Sequence, residues 1–245
     1  MHNLGQTRSS WQADHALITP DTFVRASLPG MRNATAIVHA APAMGASFTE
    51  YTVEFAGDGA LGEAAGERFL YVLEGSIELT LGRKKHALAK GGYAYLPAAE
   101  KHTVVAAAPA RAIVIERQYK PLPGVAHPKA LVGTDTTIAP QPMLGDEAVE
   151  IRTLLPADFS FDLAVNTMTF QPGATLPMVE VHVMEHGLLI LDGGGIYRLG
   201  ESWYPVTAGD FIYMGPYCPQ WFGALGKTPA RYLIYKDWNR HPLAE

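Results

Sequence analysis

An all-β chain folded as two small barrels or sandwiches in tandem is what this sequence predicts, and three observations carry it. Helical periodicity is nearly absent, while runs of four to eight β-branched and aromatic residues recur, each closed by Gly, Pro, Asp or Asn. The 24 glycines and 18 prolines make up about 17% of the 245 residues against ~12% in average usage, and only 18% of residues are charged. That balance favours strands and turns over helices. Finally, the two halves of the chain resemble each other at an offset of 118 residues. A repeat of that length is a duplicated domain, because solenoid periods are shorter.

The strands of the first half read as Ala36–His39, Tyr51–Phe55, Phe69–Leu73, Ser76–Leu81 and Ile113–Ile115. Those of the second read as Asp162–Val165, Leu188–Leu191, Phe211–Met214 and Tyr232–Tyr235. Between them Pro121 to Asp146 is rich in Pro, Gly and Thr and alternates little, which reads as a linker. The expected division is an N-terminal barrel at 1–122, a linker at 123–147 and a C-terminal barrel at 148–245. The repeat sets Glu67-Arg68 and Gly75 opposite Glu185-His186 and Gly193, and the run from Gly91 to Pro97 opposite Gly209 to Gly215. It also sets His102 opposite Gln220.

Composition excludes several functions. A net charge of −5 with no basic patch argues against a nucleic-acid binder that works by neutralising phosphates. The apolar fraction of 48% is ample for a core. A single cysteine, Cys218, allows no intramolecular disulfide and suits a reducing compartment. Met1 to Arg8 lacks an apolar leader core, and no apolar run approaches the ~18 residues of a membrane span. A soluble, cytoplasmic protein that engages no membrane is the expectation.

Most of the nine histidines have no acidic or histidine companion at ligand spacing. The exception is Glu180-Val181-His182-Val183-Met184-Glu185-His186. On a strand, alternation sends Glu180 and His182 to one face, and His186 rejoins it if the chain bends gently. A solvated strand face is the competing reading, but the flanks Pro177-Met178-Val179 and Leu188–Leu191 are apolar. A buried carboxylate beside two imidazoles is costly unless a dication compensates, and that donor set suits a divalent metal. Alternation along Arg231 to Trp238 puts Tyr232, Ile234, Lys236 and Trp238 on one face. Lys236 is then either an edge-strand surface lysine or a pocket residue that titrates below its usual range. Cys218 reads as an inert small apolar residue, and Gly193-Gly194-Gly195 as a tight turn.

Gly173, Glu180-x-His182, His186 and Gly193, followed by Gly209, Gly215 and Gln220, resemble the two motifs of cupins in a permuted order. Cupins usually read His-x-His, then Glu, then a last His. Here Glu stands first, His186 takes the Glu place and Gln220 replaces the last His. With Lys236 sixteen residues beyond Gln220, this set resembles the (S)-ureidoglycine aminohydrolase family, manganese-dependent bicupins of purine and allantoin catabolism. The likeness extends to Thr19-Pro20-Asp21, Gly45-Ala46-Ser47-Phe48 and Gly91-Gly92-Tyr93.

The resemblance implies a bicupin of two double-stranded β-helix (jelly-roll) barrels that hydrolyses (S)-2-ureidoglycine to (S)-ureidoglycolate and ammonia. It implies one Mn²⁺ in the C-terminal barrel, held by Glu180, His182, His186 and Gln220. Substrate contacts fall to Glu180, Gln220, Tyr232 and Lys236, with Lys236 the catalytic residue. Ammonia leaves either by displacement with water or by expulsion to an acylimine that water captures. Opposite Glu180, His182 and His186 stand Gly62, Ala64 and Arg68, so the N-terminal barrel is expected to hold no metal and His102 to be hydrogen-bonded. The family tends to assemble, which makes a homo-oligomer the expectation, with the tail Asn239-Arg240-His241-Pro242 a candidate to order against a neighbouring subunit. Two other readings stay open: an iron or copper dioxygenase on the same scaffold, and a non-catalytic metabolite-binding bicupin.

Overall fold

The structure, a computed structural model, describes residues 6–98 and 100–237. Trp238 and the tail Asn239 to Pro242, like Met1 to Gly5, lie outside the described residues. Among the described residues twenty strands and three short 3₁₀ turns make up the regular structure. They divide into two compact units, Val24–Ile138 and Met1–Phe23 together with Ala139–Glu245.

The unit Val24–Ile138 is one nine-stranded, wholly antiparallel sheet rolled onto itself. Its long strand Thr49–Ala60 makes the roll possible: the first part pairs with Arg32–Ala40 and Ala110–Arg117, and the end pairs with His102–Ala106. The bend falls at Gly57-Asp58-Gly59, where Asp58 has φ 56° and a Cβ on Gly59 would lie 2.8 Å from the Asn33 carbonyl oxygen. Only glycine fits that approach. Alternation then decides burial. Tyr51, Val53 and Phe55 point into the roll with Leu70, Val72, Leu79 and Val114.

The opposite face of the same strand is also buried, and it carries Glu50 and Thr52. Both carboxyl oxygens of Glu50 are buried without a hydrogen-bond partner. Burial pushes this carboxyl well above the usual carboxylate range, so it is held protonated. In the unfolded chain Glu50 ionises at its ordinary value, so between the two values the folded state holds one more proton. Stability therefore falls as pH rises above the carboxylate range. Glu50→Gln is expected to raise the unfolding midpoint at pH 8 and to change it little at pH 4. Urea unfolding at the two pH values checks this.

In the other unit an eight-stranded sheet packs on the three-stranded sheet Ser202–Thr207, Gly194–Leu199 and Gln220–Ala224. The central strand of the large sheet, Ala230–Lys236, lies between His186–Asp192 and Ala164–Phe170. Phe170, Tyr197, Phe222 and Tyr232 form its aromatic core, with ring centroids 5.0 to 5.7 Å apart. Such edge-to-face and tilted pairs add to simple burial. Gly193, at φ 67°, turns the chain from His186–Asp192 into Gly194–Leu199 as expected. The anticipated strands Leu188–Leu191, Phe211–Met214 and Tyr232–Tyr235 all lie in this sheet.

The structure divides the chain differently from 1–122, 123–147 and 148–245. Strand His15–Ile18 pairs with Phe211–Met214, so the first residues belong with the C-terminal half. This pairing covers the backbone groups that Phe211–Met214 would otherwise leave as an open edge. The anticipated linker also contains strands: Leu131–Thr134 pairs with Gly92–Leu96, and Gln141–Met143 pairs with Asp146–Thr153. Strands of three or four residues interrupted by Gly133 or Pro142 carry too little alternation to read. The strand expected from Asp162 begins at Ala164. Among the described residues no helix is long and apolar enough to cross a membrane.

Candidate metal centre and active site

Inside the C-terminal unit a cavity of about 210 Å³ is lined by Glu180, His182, His186, Gln220, Tyr232 and Lys236, all six residues singled out from the sequence. Apolar walls come from Met143, Ile151, Met168, Leu176 and Ile234. The convergence has a different origin from the one expected. Residues 177–185 do not form a strand; only Glu180 makes an isolated bridge, to Gln220. That bridge has two backbone hydrogen bonds of 2.8 and 2.9 Å. The Tyr217 amide donates to the His182 carbonyl at 2.7 Å, with Tyr217 itself in the left-handed region at φ 62°. His186 opens the strand His186–Asp192, opposite Lys236 in register. Long-range pairing, not alternation, gathers the site.

The imidazoles define its chemistry. Burial first, then the neighbouring His182, pulls the His186 pKa down to about 3, so this ring is neutral. Its Nδ1 lies 3.1 Å from the Tyr235 carbonyl oxygen and must donate to it, which leaves a lone pair on Nε2. That Nε2 faces His182 Nε2 at 3.3 Å, while the Gln220 amide nitrogen lies 2.8 Å from the same His182 atom. His182 Nε2 therefore accepts from Gln220, and its Nδ1 is buried without a partner. Two nitrogen lone pairs facing each other repel unless a cation sits between them. Fixing one ring by a backbone carbonyl is how metal-bound histidines are oriented. Turning over the Gln220 amide would present its oxygen at the same point. Glu180 is half-buried and lines the same cavity.

Among the described residues the one trio of His, Cys and acidic side chains with all donor atoms within 4.8 Å is Asp14, His15 and Cys218. Its donors are already engaged. His15 Nδ1 meets Asp14 Oδ1 at 2.8 Å and Nε2 meets the Tyr204 hydroxyl at 2.9 Å. Burial and the Asp14 charge push the Cys218 thiol up to about 11. This cluster ties the N-terminal strand to the loop before Gln220.

Burial lowers the Lys236 ammonium from its ordinary range, opposed in part by the Glu180 charge. Tyr232 is buried, and its hydroxyl donates only to the Met168 thioether, a weak acceptor, at 3.2 Å. It is available to a better one.

The corresponding place in Val24–Ile138 is filled by protein. Arg68 pairs in register with Glu116, as His186 does with Lys236. Its guanidinium donates to Glu116 at 2.7 Å, to His102 Nε2 at 2.9 Å and to the Gly62 carbonyl at 2.9 Å. His102 donates from Nδ1 to the Glu100 carbonyl and is hydrogen-bonded as expected. An arginine thus supplies the positive charge, and the repeat keeps the pair Glu67–Tyr95 as Glu185–Tyr213. Because the Arg68 side chain is 3% exposed and Glu116 22%, Arg68→Ala should cost about 3 kcal/mol, the low end for breaking a buried pair. Loss of the corresponding denaturant midpoint, with metal content unchanged, checks it.

A cupin-domain family model matches residues 58–116 and 166–235. The (S)-ureidoglycine aminohydrolase of Arabidopsis thaliana is 43% identical over 98% of this chain and 80% of its own length. That of Escherichia coli (strain K12) is 36% identical over 92% of this chain and 88% of its own. The crystal structure of protein Ylba from E. coli superposes with a TM-score of 0.85 at 32% identity, covering 97% of each chain.

Proposed function

The chain belongs to the cupin family and, within it, to the (S)-ureidoglycine aminohydrolases, and on that premise we propose that the C-terminal cavity is where this reaction takes place, with Glu180, His182, His186 and Gln220 holding one Mn²⁺. The reaction replaces the Cα amine of (S)-2-ureidoglycine with the hydroxyl of water, giving (S)-ureidoglycolate and ammonia. The facing imidazole nitrogens of His182 and His186, 3.3 Å apart in a cavity that also takes the half-buried Lys236, carry the reading.

One carboxylate, two imidazoles and a neutral amide would hold a dication and leave it with residual positive charge. Oxygen and imidazole donors in that number suit Mn²⁺ better than a closed tetrahedral zinc site. When bound, the ion supplies a positive anchor for the substrate carboxylate and amine. The chain's own residues do the rest. Tyr232 offers its hydroxyl and Gln220 its amide N–H to the bound substrate. The apolar wall of Met143, Ile151, Met168 and Leu176 limits bulk water. Lys236 Nζ, held below its usual range, takes a proton from the attacking water and returns one to the departing nitrogen as the C–N bond breaks and the C–O bond forms. Release of ammonia from freshly made (S)-ureidoglycine by the Mn²⁺-loaded protein, without oxygen uptake, is the expected result. Oxygen consumption by the iron-loaded protein would support the dioxygenase instead. Homo-oligomeric assembly, expected of the family, and a cytoplasmic location, expected from the sequence, belong to the same proposal.

A further inference from the structure

The geometry points to Asn166 as a specificity-determining residue that reads the ureido group of the substrate, an inference that rests on the aminohydrolase reading. Asn166 sits in strand Ala164–Phe170, opposite Ile234 in register and between Ala164, which faces Lys236, and Met168, which faces Tyr232. Its side chain lines the cavity. It is 5% exposed, and its Oδ1 is buried without a hydrogen-bond partner. A buried amide oxygen left unpaired is costly and uncommon, so a polar residue at this otherwise apolar stretch of wall needs a ligand to explain it.

The chemistry of the ligand follows from what the other side chains already serve. The two imidazoles, Glu180 and Gln220 face the metal position, and Lys236 and Tyr232 face the reacting carbon. That leaves the terminal carbamoyl group, a neutral amide-like end with N–H donors and one carbonyl acceptor. A neutral carboxamide matches it without bringing a charge into the cavity. Oδ1 accepts a ureido N–H, and the Asn166 N–H₂ is free by chemistry to donate back to the ureido oxygen when the two planes align. A site built around such a donor discriminates against analogues that lack it, because its own buried acceptor is then stranded.

The test uses two neutral-headed ligands that need no turnover: N-carbamoylglycine, and N-acetylglycine, in which a methyl replaces the terminal NH₂. Calorimetric titration of the Mn²⁺-loaded protein should favour N-carbamoylglycine by about 10-fold, the worth of one buried hydrogen bond. In Asn166→Leu that ratio should fall toward unity through loss of N-carbamoylglycine affinity, with metal content unchanged. Asn166→Asp, which keeps an acceptor, covers the case in which the leucine variant does not fold, and should keep the preference. An unchanged ratio in a folded Asn166→Leu overturns the inference. So does a variant whose only defect is a lower kcat with a shifted pH profile, which would make Asn166 a positioning residue for Lys236. Failure of the aminohydrolase reading looks different: the wild-type protein then releases no ammonia from ureidoglycine.

Discussion

Dialysis against a strong chelator is expected to abolish ammonia release, and Mn²⁺ to return it at a single ion per chain. This is the largest effect expected, because on the proposed reading the facing lone pairs of His182 and His186 and the Glu180 carboxylate that lines the same cavity would all act through the ion. His186→Ala should lose both metal and activity. Its Nδ1 bond to the Tyr235 carbonyl fixes the ring, so no neighbouring group can take its place. The loss should exceed the ~10²-fold that removal of an outer-shell partner costs. Glu180→Gln is the sharper variant. It keeps size and the backbone bridge to Gln220 while removing the one negative charge of the donor set. Metal affinity should fall steeply while the unfolding transition of the apo protein stays in place. Full metal occupancy in both variants, by elemental analysis, would rule out this ligand set. Arg68→Ala serves as the control, since it disturbs contacts to Glu116, His102 and the Gly62 carbonyl within the other unit.

Much of this site was legible because its residues are chemically unusual for their surroundings. Glu180, His182 and His186 stand among apolar flanks, and Lys236 shares a strand face with Tyr232 and Ile234, as the register to Ala164, Met168 and Asn166 bears out. The path of the chain through them was not legible. Alternation suggested a strand from Glu180 to His186, yet the segment is irregular and is held by a bridge to Gln220 and by the Tyr217 amide. Those partners lie 35 to 40 residues away, and no local period encodes them. The same limit hid His15–Ile18, which completes the C-terminal sheet across nearly the whole chain length. Asn166 gave no signal in sequence: a single asparagine in an apolar strand is conspicuous only once its oxygen is seen unpaired beside a cavity. The 118-residue repeat did hold, down to Glu67–Tyr95 and Glu185–Tyr213. What it could not show was that Arg68 and Glu116 face each other where His186 and Lys236 do.

Lys236→Met should leave metal content intact and lower turnover by roughly 10²–10⁴-fold, the range for losing a positioned proton-transfer group. The physical case rests on where the amine stands. Lys236 closes the strand Ala230–Lys236, lines the cavity and is desolvated there, which disfavours the ammonium form. Glu180 pulls the other way, but a dication held by its carboxylate would weaken that support and would itself repel the ammonium. Both changes would push the lysine toward neutrality, the form that can take a proton from water. The rate of the wild-type enzyme should therefore rise with pH as Lys236 deprotonates, at lower pH than an exposed lysine would. Lys236→Met should lack that limb, and Lys236→Arg, charged at every accessible pH, should be as slow as the methionine variant. A charge-only role would make the arginine variant nearly as fast as wild type. Measuring kcat against pH for the three proteins, at saturating Mn²⁺, separates a lysine that moves a proton from one that only supplies positive charge.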